Sequence, residues 1–137
     1  MFQRDIIVDD IRKTALIIAK IFGIKAGGMV NEFKQQFDKT LQNEYAAEIE
    51  QLLALNQEDF EMLIKSDTYS AEKLITLSQM LYVFAEPFEA TDETAAILKK
   101  VLVLFDELET QHHYESFENL NKRNHIYSFF NNNYERS

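Results

Sequence analysis

A chain of 137 residues, 46% hydrophobic and 27% charged, with a net charge of −9, has the size and balance of one globular domain and excludes an intrinsically disordered chain. Cysteine is absent, which removes disulfides, thiolate nucleophiles and thiolate metal sites and fits a reducing compartment. One proline and three glycines, against averages of about 5% and 7%, leave the backbone few licensed turns. Apolar residues recurring at spacings of three and four then predict an all-α protein. Its expected form is a single-domain antiparallel helical bundle or array of about six to seven helices spanning 1–137.

The first helix is expected over 2–22. At 100° per residue Ile7, Ile11, Ala15, Ile18 and Phe22 share one face, with Asp9, Arg12, Lys13, Leu16 and Lys20 opposite. Leu16 and Ile17 fall off the main stripe, so the apolar arc is wider than one layer of neighbours needs. Gly23 reads as its cap, and Gly27-Gly28 as a turn, too sparse in glycine for a phosphate loop. A second helix carries Val30, Phe33, Phe37 and Leu41, and the periodicity continues from Tyr45 to Leu55. Asn56 reads as the N-cap of a short helix burying Phe60, Leu63 and Ile64.

After the break at 66–70, Ser70 caps a helix packing through Leu74, Leu77, Ser78, Leu81, Phe84 and Ala85, which stops at Glu86 ahead of Pro87. Thr91 or Asp92 caps a long helix with core face Ala95, Leu98, Val101, Leu102, Phe105 and Leu108. The last helix begins near Ser116 and is expected to bury Phe117, Leu120, Tyr127 and Phe130 before fraying into the asparagine run that opens a tail over 131–137.

Charge divides along the chain. Residues 1–39 hold seven Lys/Arg and five Asp/Glu, and residues 40–137 hold seven and eighteen. So acidic a chain is a poor nucleic-acid binder, because phosphate neutralisation dominates that affinity. The longest apolar run, 14–24, is broken by Lys20 and falls short of the roughly 20 apolar residues of a membrane span. Asp5, Asp9 and Asp10 stand where a signal peptide would be basic. A cytoplasmic protein with neither nucleic-acid nor membrane partners is expected.

Chemistry-bearing residues are few. Glu109 and His112 form an E-x-x-H pair, the spacing by which one helix offers two ligands to a di-iron centre, but such a centre needs the motif twice. His112, His113 and His125 with Glu115 or Glu118 would suit zinc if they converged. The plainer interpretation of the same residues is an exposed helix end, with imidazoles placed favourably near the negative end of the macrodipole. Glu58-Asp59 and Asp106-Glu107 are adjacent in sequence, point in different directions and have no triad partner, so they read as solvated faces. No cofactor is implied. Phe129 and Phe130 are adjacent, so both cannot face one neighbour.

The opening Arg4-Asp5-Ile-Ile, Ile11 and Leu16-Ile-Ile-Ala-Lys-Ile-Phe-Gly23, together with Leu52-Leu-Ala-Leu-Asn-Gln-Glu-Asp-Phe60 and Leu63, resembles an uncharacterised family of small all-helical bacterial proteins, a domain of unknown function. The resemblance implies a helical fold and carries no functional residue. The C-terminal helices are similar to tetratricopeptide repeats at Thr94, Leu98 and Val101, but Asp106 stands where the repeat closes on proline and no period of about 34 residues recurs.

The function expected is non-enzymatic: protein–protein interaction or self-association. Leu16, Ile17, Phe129 and Phe130 are the candidate contacts, and a homodimer through 2–22 is one form of it. The alternative is a metal-dependent enzyme or metal sensor using Glu109, His112, His113 and His125. The stripe over 2–22 makes a direct prediction. In denaturant melts Ile18→Ala costs about 2–5 kcal/mol, whereas Lys20→Ala on the opposite face changes stability by no more than about 0.5 kcal/mol; equal effects would show the helix rotated otherwise.

Overall fold

Helix starts are written most clearly in this sequence, and the structure follows them at Ser70, Thr91 and Ser116. The computed structural model describes residues 23, 25, 27–65 and 69–133, among which there are six helices and no strand. These are α1 (Val30–Tyr45), α2 (Ile49–Ala54), α3 (Gln57–Lys65), α4 (Ala71–Ala85), α5 (Asp92–Gln111) and α6 (Phe117–Asn133). The protein is all-α, as its periodicity predicts. The helix expected over 2–22, with Leu16, Ile17 and Ile18, lies outside the described residues. The chain divides into two compact units, Met1–Asn56 and Gln57–Ser137.

In the first unit α1 buries Phe33, Phe37, Leu41 and Tyr45, spaced four apart and none more than 4% exposed. The Phe33 and Phe37 rings meet at 5.8 Å, and Asn31, Glu32, Lys34 and Gln35 face solvent. The apolar period runs on past Tyr45, but the helix does not. Ala46 takes the left-handed conformation (φ 52°), and the Ala46 and Ala47 N–H groups close on the Gln42 and Leu41 carbonyls. Such a closing turn usually takes glycine; here alanine fills it, which is why the sequence gives no sign of the break. α2 then restarts, the Gln51 side-chain oxygen accepting the Glu48 N–H at 3.0 Å, and buries Leu52.

In the second unit α3 begins directly after Asn56 and buries Phe60 and Ile64. Ser70 caps α4 by accepting the Lys73 N–H at 3.3 Å. α4 ends at a Glu86 cap, followed by a cis Glu86–Pro87 bond. Thr91, the first of the two residues expected to cap the long helix, accepts the Thr94 N–H at 3.1 Å. Each cap supplies an acceptor to a backbone donor that has no partner inside the helix.

α5 packs against α3, α4 and α6, most extensively against α4. Its predicted face of Ala95, Leu98, Val101, Phe105 and Leu108 is buried, Leu102 is half-buried, and Ile97 and Leu104 are buried as well. A helix with neighbours on three sides needs more than one apolar stripe. It also buries Lys100 and Glu107, at 8% and 7% exposure. Burial pushes the Lys100 ammonium below its ordinary pKa, with the charge of Lys99 adding to the effect, and the ammonium sits 5.7 Å over the Phe60 ring.

α6 is rotated from its expected position. Ser116 Oγ accepts the Asn119 N–H at 3.0 Å, so the start is as predicted. However, the buried residues are Asn119, Ile126 and Phe129. Phe117, Leu120 and Tyr127, expected in the core, are 86%, 52% and 45% exposed. The asparagine run, expected to fray, stays helical through Asn133, whose side-chain amide donates to the Phe129 carbonyl at 2.8 Å. This rotation separates two phenylalanines by experiment. Phe105→Ala removes a ring only 1% exposed and costs about 3–5 kcal/mol, while Phe117→Ala changes stability by less than about 0.5 kcal/mol. Comparable losses in urea melts would return α6 to its sequence-predicted face.

Candidate functional site

Two features of α6 could support a function, and both follow from how its side chains are held. The first is a fork at Arg123. Its two terminal nitrogens donate to Asp106 Oδ1 and Glu109 Oε1 of α5, each at 2.9 Å, and Nη1 lies 3.4 Å from the Tyr127 hydroxyl. The guanidinium lies 5.6 Å from the centroid of the Phe105 ring, and its side chain is only 13% exposed. Burial alone would lower its pKa. The hydrogen bonds to Tyr127 and Asp106 and the charges of Glu109 and Asp106 more than reverse this, so the net shift is upward. Arginine suits the place because a planar fork can meet two carboxylates and stack on a ring at once.

The second feature is an open groove of about 450 Å³ where the C-terminal end of α4 meets the second half of α6, lined by Tyr82, Glu86, Phe88, His125, Phe129 and Asn132 among others. Phe88 stands edge-on to Tyr82 at 5.3 Å and to Phe129 at 5.9 Å, making an aromatic floor. On the polar side the Tyr82 hydroxyl and His125 Nδ1 are hydrogen-bonded at 3.3 Å. The Lys122 ammonium caps the Tyr82 ring at 5.2 Å. Burial pushes the Tyr82 hydroxyl above its ordinary pKa, and the Glu86 charge acts in the same direction. Lys122 is lowered by burial, against the upward pull of Glu118 and Glu86.

The structure disperses the residues of the metal alternative. Glu109 is engaged by Arg123 and His125 faces Tyr82. His112 and His113 are exposed at the end of α5, where His113 adopts φ 53° and the chain closes by the Tyr114 N–H on the Leu108 carbonyl at 2.9 Å. Among the described residues no group of three or more His, Cys, Asp or Glu is placed to hold a metal ion. Phe129 is 6% exposed against Phe88, and Phe130, half-buried, meets Phe129 at 5.4 Å. Leu16 and Ile17 lie outside the described residues.

Sequence reasoning misplaced the residues that α6 does present. Phe117, Leu120 and Tyr127 lie within about 80° of one another at 100° per residue, roughly opposite the buried Ile126 and Phe129. A period of three and four is the same whether a stripe faces a core or water. The one available signal was Arg123, which lies beside the stripe and needed the acids of the preceding helix.

Comparison with known proteins finds no matching family model, no matching curated protein and no matching solved structure.

The Arg123 fork predicts that Arg123→Ala costs about 1–3 kcal/mol in urea melts, because charge-assisted bonds at a mostly buried group are lost together. Arg123→Lys recovers little of this, since one ammonium cannot span both carboxylates. A loss under about 0.5 kcal/mol would reduce the fork to an ordinary surface pair.

Proposed function

We propose that this is a non-enzymatic cytoplasmic helical protein, its helices packed as an antiparallel array, whose activity is to bind another protein. One observation carries the proposal: α6 presents Phe117, Leu120 and Tyr127 to solvent along a single helix face. Isolated exposed apolar residues need no explanation, but three on one line, two of them aromatic, form the kind of anchor row that protein interfaces use. The residues weighed for metal chemistry support the same conclusion, because Glu109 is committed to Arg123 and His125 to Tyr82. The absence of cysteine agrees with a reducing compartment. Among the described residues no helix is long and apolar enough to cross a membrane.

The test is affinity capture from the source cell with wild-type protein and a Phe117→Glu/Leu120→Glu variant. Both positions are exposed, so the variant keeps its helical circular dichroism and its melting midpoint. It loses the protein that the wild type retains. If both forms capture the same protein, α6 is not the binding face.

A further inference from the structure

We propose, resting on the α6 row as a binding face, that the protein it binds is a second copy of this chain, the two α6 helices lying side by side, parallel and in register. The row extends beyond its apolar members. Phe117, Leu120, Asn124, Tyr127 and Asn131 follow one another at alternating spacings of three and four, and all five are exposed. At 100° per residue they fall within about 80° of one another. Alternating three and four is the seven-residue repeat by which one helix presents a seam to another. Phe117, Asn124 and Asn131 occupy its first position, and Leu120 and Tyr127 its fourth. The seam runs about 21 Å along the helix at 1.5 Å per residue. It is also already built, because α6 is held from its other side by Ile126, Phe129 and the Arg123 fork. Pairing therefore orders no new backbone.

Charge favours a second copy as the occupant. The charged residues of α6 are Glu118, Lys122 and Arg123, and none lies on the seam. Glu118 is turned about 100° from Phe117 around the helix. Lys122 is directed over the Tyr82 ring, and Arg123 reaches α5. Asn121 and Ser128, exposed beside the seam, are uncharged. Asp106, the carboxylate linked to the Tyr127 edge through Arg123, is bridged by Arg123 Nη1 at 2.9 Å. A chain of net charge −9 can thus meet its own copy here without setting one α6 carboxylate against another. Depletion of charge around aromatic anchors is the composition of an interface core.

The asparagines favour like against like. A side-chain amide both donates and accepts, so Asn124 is complementary to itself. Asparagine at the first seam position is the residue that fixes register and two-strandedness, at some cost in strength. With the helices parallel and in register, Asn124, Phe117, Leu120 and Tyr127 each meet their counterpart in the other copy. An antiparallel pair centred on Asn124 would instead oppose Phe117 with Asn131 and Leu120 with Ser128.

The experiment uses the full chain. One helix pair makes an interface at the small end of the range, so sedimentation equilibrium covers about 10–500 μM, where a micromolar dimer is expected. Leu120→Glu and Asn124→Asp each set two like charges together across the twofold axis and weaken association at least about tenfold. Asn124→Leu strengthens it severalfold. All these positions are exposed, so the variants keep their helical circular dichroism and a urea midpoint close to that of the wild type. The chain has no cysteine, which makes Leu120→Cys the sole thiol of its variant. Under mild oxidation it forms a covalent dimer, because counterparts at the fourth seam position come within the roughly 4.4–6.8 Å between Cα atoms that a disulfide spans. Glu118→Cys, off the seam, cross-links at least about tenfold more slowly.

A wild type that stays monomeric throughout this range would overturn the proposal. So would a dimer that Leu120→Glu leaves intact, since the contact would then lie on another face, 2–22 included. Equal cross-linking at the two cysteine positions would overturn the parallel, in-register pairing. The two levels remain distinguishable. A different protein captured from the cell and lost in Phe117→Glu/Leu120→Glu, beside a monomeric wild type, keeps α6 as a binding face and removes only the second copy as its occupant.

Discussion

The second unit depends on one constraint: α5 must be lined on three sides. With α3, α4 and α6 all packed against it, a single apolar stripe cannot serve, and the helix buries Ile97 and Leu104 in addition to Ala95, Leu98, Val101, Phe105 and Leu108. The same crowding encloses Lys100 and Glu107. A buried ammonium is expensive unless something replaces its water, and the Phe60 ring stands under this one. α4 shows the same pressure, with nine buried residues distributed around much of its circumference. Between them α4 and α5 bury the polar residues Thr76, Ser78, Thr94, Lys100 and Glu107.

The orientation of α6 is set against that frame. Apolar and aromatic residues occur on nearly every side of Phe117–Asn133, so hydrophobic burial alone favours no single rotation. Two specific sets of contacts favour one. Arg123 reaches both carboxylates of α5 while stacking on Phe105, and Phe129 inserts edge-on against Phe88. Charge-assisted hydrogen bonds to two separate carboxylates are strongly directional, whereas contact between apolar surfaces is not. Once Arg123 and Phe129 are seated, Phe117, Leu120 and Tyr127 have only solvent left to face.

Charge follows from the same packing. Lys100, Lys122 and Arg123 each place a cation over an aromatic ring of the same unit, and Arg123 also bridges two acids. These contacts commit three of the unit's cations to the packing of its helices.

Much of this protein was legible in its residues. Scarce glycine and proline with a three-to-four period fixed the helical class. Ser70, Thr91 and Ser116 marked helix starts because a side-chain oxygen before an apolar period satisfies donors that every helix leaves open; these are local effects, decided within a few residues. The break at Ala46 was hidden because the turn uses alanine where glycine would have announced it. Tertiary structure alone decided the rotation of α6, the engagement of Glu109 by Arg123, and the burial or half-burial of Lys73, Lys100, Lys122 and Arg123. Each depends on which side chains from distant parts of the chain meet, and a periodic pattern states that a face exists without stating what it faces.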